Sequence, residues 1–143
     1  MPAAARPLNH HDTVLNMRIS LYLYSTSIEN SIRFDVDELS MFSVVEDFGT
    51  GYCLLRATDS PAFHIYLTDW VARPSDQFTF SLDVSDCDAV FRRLREVHYA
   101  SGARIVPDTA GNIDVFEYPG GKNFEMEDPD GNRFLIYEHY GAS

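Results

Sequence analysis

Apolar residues in the first half of the chain are spaced in a way that predicts one helix among four strands. The aliphatic and aromatic run from Arg18 to Tyr24 is typical of a strand. Ser27 is a residue type that caps helices, and the apolar residues after it recur three or four positions apart, at Ile28, Ile32, Val36 and Leu39. Three further apolar runs predict strands at 41–45, 52–55 and 62–68. The first half therefore has the order β-α-β-β-β.

The second half begins to repeat this order after a polar, proline-containing segment at 73–76. An alternating run predicts a strand at 78–84. Ser85 and Asp88 then form a capping-box pattern, which opens a helix that we expect to run to about Tyr99.

The strands after this helix complete the repeat. Gly102 favours the end of the helix, and extended segments are predicted at 103–106, 113–118, 123–127 and 133–137. Asp128–Gly131 has the proline and glycine positions of a hairpin turn. A module of roughly 55–60 residues is too small to bury both faces of its own sheet. The repeat therefore predicts one α+β domain of two βαβββ modules, which enclose a cleft either within one chain or across a dimer.

The N-terminal segment has no clear hydrophobic period and contains two prolines, which separates it from the predicted domain. We predict an N-terminal arm at 1–16 and a single domain at 17–140, with module one at 17–70 and module two at 77–138. The arm lacks the continuous apolar stretch of a signal peptide, and no segment approaches the roughly 20 apolar residues of a membrane helix. The two cysteines are far apart in the sequence and fit buried thiols in a reducing compartment. We expect a cytoplasmic protein.

The charge of the chain excludes some classes of partner. Its 143 residues include 22 acidic and 11 basic side chains, a formal net charge of −11. Binding to nucleic acid or to anionic lipid needs clustered cations, so we expect neither nucleic acid nor membrane as a partner. Because 45% of the residues are apolar, the chain has enough apolar surface for a core. Composition and charge assign no function.

The segment 124–138, in which Asp-Pro-Asp-Gly-Asn separates two strands, resembles the last hairpin of the vicinal oxygen chelate superfamily. This superfamily includes glyoxalase I, extradiol dioxygenases and bleomycin-resistance proteins. Residues 28–34 resemble its first helix, and residues 65–70 are similar to the end of the first module in glyoxalases. The likeness covers about residues 17 to 138. It implies a cupped mixed β-sheet built from paired βαβββ modules, a pocket inside the cup, and a homodimer.

The same resemblance assigns four metal-ligand positions to Ser20, Tyr66, Thr79 and Leu135. The metal of this family needs nitrogen or carboxylate ligands, and leucine has no lone pair to offer. Serine and threonine hydroxyls are poor ligands, and a tyrosine would have to lose a proton whose pKa is near 10. We therefore predict no metal site and no other cofactor.

Residues that share strand parity with these four positions are expected to face the cleft. The predicted substrate-binding residues are Ser20, Tyr22, Tyr66, Thr79, Ser81, Leu135 and Tyr137. His64 is the base for neutral pH on the same side and is the candidate catalytic residue. An ordinary alternative exists for each kind: aromatic residues on a sheet also build cores, and a sheet histidine is often merely hydrogen-bonded.

Two functions remain open from the sequence. The first is metal-independent binding of a small, partly aromatic molecule in the cleft, by analogy with bleomycin-resistance proteins. The alternative is an enzyme of this superfamily, a lyase, isomerase or dioxygenase acting on a small molecule. Its chemistry would come from His64 and Tyr66 as acid and base, or from a metal held by relocated ligands such as His64, His139 and Glu138.

Overall fold

The structure, a computed structural model, describes residues 17–141, so the predicted arm at 1–16 lies outside the described residues. Module one consists of β1 (Ile19–Tyr24), α1 (Ile28–Ile32), the π-helical segment π1 (Arg33–Glu38), β2 (Phe42–Asp47), β3 (Tyr52–Ala57) and β4 (Phe63–Thr68). Module two consists of β5 (Phe78–Asp83), α2 (Cys87–Arg95), β6 (Arg104–Ile105), β7 (Phe116–Tyr118), β8 (Gly121–Glu127) and β9 (Arg133–His139). In the described part of the chain, no helix has the length and apolar character that crossing a bilayer requires.

The strands form two separate sheets, one for each module. The strand order is β1-β4-β3-β2 in sheet one and β5-β9-β8-β6 in sheet two, where β7 also pairs with β8. The pairs β1–β4 and β5–β9 are parallel and the others antiparallel, so both sheets are mixed. The predicted α+β class and the two βαβββ modules are confirmed, with β7 as an additional short strand in module two.

The first helix begins where the sequence predicts, but it buries a different side. The Ser27 hydroxyl accepts a hydrogen bond from the Asn30 amide at 3.2 Å and so caps α1. After one turn the helix widens into π1, which rotates the following residues around the axis. As a result Phe34 and Asp35 are buried, whereas Val36 is only half-buried.

The second helix differs from the prediction at both ends. Asp86, rather than Ser85, is the N-cap, and its carboxylate accepts a hydrogen bond from the Ala89 amide at 3.0 Å. The helix ends at Arg95, before the predicted Tyr99. The Tyr99 hydroxyl instead donates to the Leu94 carbonyl at 2.6 Å and satisfies one of the free carbonyls of the last turn.

The two modules share one hydrophobic core. Phe34 of π1 lies against Phe134 of β9, with 6.3 Å between the ring centroids, and Phe63 of β4 lies 6.1 Å from Phe80 of β5. Both helices and one face of each sheet contribute to this cluster. Because side chains alternate along a strand, the other face of each sheet points away from the shared core.

The hairpin turn between β8 and β9 ties the modules together. The Asn132 side-chain amide donates to the Tyr24 carbonyl in module one and to the Asp128 carboxylate, both at 2.8 Å. Asp128 also accepts from the backbone amides of Asp130 and Asn132 at 2.9 Å. The predicted turn is confirmed, with Gly131 at a φ of 92° that favours glycine. The motif that carries the family resemblance thus has a structural role at the module junction.

Candidate functional site

Strand alternation gives each sheet one face that the core does not cover. The first open face consists of the even-numbered residues of β1, β3 and β4, which the strand register places side by side: Ser20 beside His64, and Tyr22, Tyr66 and Leu54 in one row. The second open face consists of the odd-numbered residues of β5, β8 and β9, where Ser81 lies beside Leu135 and Asp83 beside Tyr137. The predicted parity of the site residues is therefore correct within each sheet.

Four aromatic rings form a continuous stacked row on the first open face. In order along this aromatic row, the centroids of Trp70, Tyr52, Tyr66 and Tyr22 are 4.7, 5.3 and 4.9 Å apart, with interplanar angles of 11°, 16° and 16°. The row crosses three strands, because Tyr52 lies on β3, Tyr66 on β4 and Tyr22 on β1. Trp70 is 69% exposed and Tyr22 54% exposed. An exposed apolar surface of this kind is typical of a binding site for a flat apolar molecule.

One tyrosine of the aromatic row, Tyr52, is held in its protonated form. Burial, followed by the neighbouring Tyr66 and Tyr22, raises the pKa of Tyr52 above its usual value. The phenol of Tyr52 therefore stays protonated at neutral pH. Because the rings cover one another's faces, the row presents ring edges along its length and an open ring face at each end, at Trp70 and at Tyr22.

His64 occupies a buried position at one end of the first open face. Its side chain is 5% exposed, and its register partners are Ser20 on β1 and Arg56 on β3. Within residues 17–141, Nδ1 of His64 has no hydrogen-bond partner. A buried polar atom without a partner is unfavourable, so this nitrogen would gain a hydrogen bond from a group admitted to the buried end of the face.

Four of the predicted residues line one cavity on the second open face. This cavity has a volume of about 390 Å³ and is lined by Phe78, Thr79, Phe80, Ser81, Asp83, Leu135 and Tyr137. The Thr79 hydroxyl donates to the Arg133 carbonyl at 3.3 Å, so it also closes an irregularity in the pairing of β5 with β9. The cavity is lined by residues of sheet two alone.

A hydrogen-bonded pair stands at the border of this cavity. The Tyr137 hydroxyl and Nδ1 of His139 are 2.9 Å apart, and the two rings are stacked at 5.8 Å. Hydrogen bonding with Tyr118, then partial burial, raises the pKa of Tyr137 to about 12. The sequence indicates Tyr137 by parity. It names His139 only as a candidate for a relocated metal ligand. The hydrogen bond between the two side chains was not predictable from the sequence, because it depends on their rotamers.

The structure does not bring the two predicted sets of residues together. Ser20 and Tyr66 lie on the first open face, Thr79 and Leu135 on the second, and both faces point away from the core between them. The cleft predicted between the modules is therefore not closed by these residues within one chain.

The residues at the family's ligand positions do not fit a metal. They are divided between two faces, Leu135 offers no lone pair, and the Thr79 hydroxyl is bonded to a backbone carbonyl. The relocated set does not converge either, because Glu138 accepts a hydrogen bond from the Cys87 amide at the start of α2. Among the described residues, no group of three or more His, Cys, Asp or Glu side chains is arranged to hold a metal ion.

A larger cavity at the module junction was not indicated by the sequence. Its volume is about 750 Å³, and it lies between the start of α2, the β3–β4 turn and the segment after π1. Ser40, which lines it, has a φ of 61°, a value uncommon outside glycine. Ser81, a predicted site residue, also lines this cavity from β5. Neither apolar period nor strand parity marks such a cavity, because its walls combine strands, loops and the start of α2 from both modules.

Comparison with solved structures identifies the fold. TnmS3, an antibiotic binding protein from Streptomyces sp. CB03234, superposes with a TM-score of 0.66 at 20% identity, covering 87% of this chain and 96% of that one. A glyoxalase/bleomycin resistance protein/dioxygenase superfamily member from Sphaerobacter thermophilus DSM 20745 has a TM-score of 0.64 at 18% identity, covering 88% and 99%. The oxidase ChaP-H2 has a TM-score of 0.62 at 21% identity, covering 88% and 96%.

The resemblance inferred from the sequence is thus confirmed at the level of the fold, which is that of the glyoxalase/bleomycin resistance protein/dioxygenase superfamily. No protein-family model matches the chain, and no curated protein is found as a relative. Binding proteins and an oxidase share this fold, so the choice between them depends on the site.

Proposed function

We propose that this chain, folded as members of the glyoxalase/bleomycin resistance protein/dioxygenase superfamily are, binds and sequesters a small, flat, partly aromatic molecule without a metal. The observation that carries this proposal is the aromatic row, in which each of the three successive pairs of rings lies within 16° of parallel. The fold accommodates such a function, since TnmS3, which shares it, is described as an antibiotic binding protein.

The aromatic row offers enough contact for useful affinity. A flat ligand that covers about 200 Å² of apolar surface gains roughly 5 kcal/mol from burial at 25 cal/mol per Å². Each offset stacking contact adds about 0.5–1.5 kcal/mol. Association opposes this gain by several kcal/mol, so a ligand held on one face alone would bind weakly. A second wall is needed for tight binding.

We propose that a second copy of the chain supplies this wall in a cytoplasmic homodimer. β1 and β5 are edge strands, and Ile19 and Phe78 on them are 61% and 53% exposed. Exposed edges with large apolar residues favour pairing with another chain. If β1 of one copy meets β5 of another, the first open face of one lies beside the second open face of the other. Ser20 and Tyr66 then share a cleft with Leu135 and Tyr137 of the other copy.

The test uses the fluorescence of Trp70, the only tryptophan in the chain, which stands at one end of the aromatic row. Coumarin is titrated against octahydrocoumarin, its saturated analogue of similar size. We expect coumarin to quench Trp70 fluorescence and the saturated analogue to bind at least about tenfold more weakly, because only the flat ring stacks. Equal quenching by both compounds, or by neither, would refute the proposal.

A variant then tests whether the ligand binds on the aromatic row. Tyr66→Ala removes the ring between Tyr22 and Tyr52, and we expect coumarin affinity to fall roughly thirtyfold, which corresponds to about 2 kcal/mol. Tyr140→Ala is the matched control, because Tyr140 is an exposed tyrosine just after β9 and outside the row. Unchanged coumarin affinity in Tyr66→Ala would show that coumarin binds outside the aromatic row.

A second candidate is an enzyme in which His64 acts as the base and Tyr66 as a hydrogen-bond donor. The buried His64 with an unpartnered Nδ1 favours it, since such a nitrogen is free to accept a proton from a substrate. Mass spectrometry of small molecules that copurify with the protein separates the two candidates. Catalysis predicts a product whose mass or chromatographic retention differs from that of the molecule copurifying with His64→Gln, whereas sequestration predicts the same molecule with both proteins.

A further inference from the structure

We propose that Tyr137 and His139 form a proton relay, which binds the ligand through an acidic hydroxyl group, a phenol or an enol, and holds that hydroxyl ionised. This inference rests on the proposed function, since it names the chemical class of the molecule that the site takes. It adds a specific polar contact on the second open face to the stacking contact on the first.

The geometry places one end of the relay in the cavity and the other outside it. Tyr137 lines the cavity of about 390 Å³, together with Ser81 and Leu135. Its hydroxyl is 2.9 Å from Nδ1 of His139, which is exposed at the end of β9. The two residues are neighbours on the same face of one strand, so their bond joins no separate elements of the fold.

The chemistry of the two groups assigns the direction of proton movement. Tyr137 keeps its proton at neutral pH, because hydrogen bonding with Tyr118 and partial burial raise its pKa to about 12. Tyr137 therefore passes a proton on and does not store the charge. Histidine takes up a proton near neutral pH more readily than any other side chain. When neutral His139 carries its proton on Nε2, Nδ1 accepts a hydrogen bond from the Tyr137 hydroxyl.

The step balances without any further reactant. The O–H bond of the ligand breaks, and its proton bonds to the Tyr137 oxygen as the Tyr137 proton moves to Nδ1 of His139. The products are a ligand anion, a neutral tyrosine and an imidazolium ion. The anion then accepts a hydrogen bond from the Tyr137 hydroxyl, and hydrogen bonds to charged groups are roughly twice as strong as neutral ones.

The groups around the relay suit this charge distribution. Asp83 on β5 is the register partner of Tyr137 on one side, and its charge also raises the pKa of Tyr137. On the other side lie Asn123 of β8, which has an uncharged amide, and the ring of Tyr118 of β7. The carboxylate of Asp83 disfavours a second anion at Tyr137, so the relay leaves Tyr137 neutral.

The experiment compares 7-hydroxycoumarin with coumarin, which lacks the hydroxyl. Quenching of Trp70 reports binding of both compounds, and the absorption band of the ionised hydroxycoumarin reports its protonation state. We expect the parent protein to bind 7-hydroxycoumarin about tenfold more tightly than coumarin at pH 7, as one hydrogen bond to a charged group provides. We also expect the bound hydroxycoumarin to ionise about one pH unit below the free compound.

Tyr137→Phe and His139→Gln should each abolish both effects while still binding coumarin. Tyr140→Phe is the matched control and should behave as the parent, because the Tyr140 hydroxyl is bonded to Glu117 outside the relay. If the preference for the hydroxyl or the shift in ionisation survives in both relay variants, the relay is refuted. If parent and variants bind the two coumarins equally, the relay is refuted and the proposed function stands. If neither compound quenches Trp70, both proposals fall.

Discussion

Replacing Asp35 with asparagine should stabilise the protein at neutral pH, because the module junction buries two carboxyl groups. Asp35 on π1 and Asp128 in the β8–β9 turn are each 5% exposed. Burial, followed by the charge of Asp128, raises the pKa of Asp35 well above its usual range. Burial also raises the pKa of Asp128 to about 6, even though Asn132 donates hydrogen bonds to it. Both carboxyls therefore bind protons more tightly in the folded state than in the unfolded state.

The magnitude can be worked out for Asp128. Its pKa rises from 3.8 to about 6, a difference of about 2, and each pKa unit corresponds to about 1.4 kcal/mol. Because the folded state binds more protons, the free energy of unfolding falls as the pH rises between about 4 and 6. The contribution of Asp128 is about 3 kcal/mol. Ionisation of Asp35 likewise lowers the free energy of unfolding as the pH rises. An asparagine at that position removes this loss, because its side chain does not ionise.

The assay is urea unfolding followed by far-UV circular dichroism from pH 4 to pH 8 at constant ionic strength. Asp35→Asn should match the parent near pH 4 and exceed its free energy of unfolding by a growing margin towards pH 8. Asp37→Asn, an exposed change on the same segment, is the control and should follow the parent. A difference between parent and Asp35→Asn that is the same at pH 4 and pH 8 would refute the reasoning, as would a more stable parent at pH 8.

Three further outcomes can be checked by chemical unfolding and thiol labelling. Gly121→Ala should lower the free energy of unfolding by more than about 2 kcal/mol, because a Cβ there would overlap the Glu138 carbonyl oxygen. Gly120→Ala is the control and should lower it far less, since its Cβ would meet only a side chain. Asn132→Ala should cost roughly 2–3 kcal/mol, because it removes the bond to the Tyr24 carbonyl; a loss below about 0.5 kcal/mol would contradict this role of the turn. Both cysteines are buried with pKa values of about 11, raised chiefly by burial, so neither should react with Ellman's reagent before unfolding.

The fold was predictable because its signals are local. Alternation along strands, the Ser27 cap and the glycine at 131 depend on residues a few positions apart, and the structure has each of them. The buried side of the first helix was not predictable, since the shift into π1 changes which residues face the core. Ser31 and Asp35 are buried there although the apolar spacing indicates Ile32 and Val36.

The candidate site was predictable only within each strand. Parity correctly grouped Ser20 with Tyr22 on one open face, but the sequence does not contain the register that places Tyr52 beside Tyr66. Trp70 lies beyond the end of β4 and joins the row through the path of the chain after the strand. The relation between the two open faces depends on how the modules pack, which no short-range pattern records.

The two open faces, turned away from one core, have a consequence for how retention of the ligand depends on the concentration of the protein. If copies pair as proposed, every pair completes two pockets at once and a lone copy completes none. Retention of the small molecule would then rise steeply once the protein passes the concentration at which copies assemble. Because the small molecule would bind only the pair, its binding would shift the equilibrium from single copies towards pairs. Its entry into the cell would therefore increase the number of complete pockets.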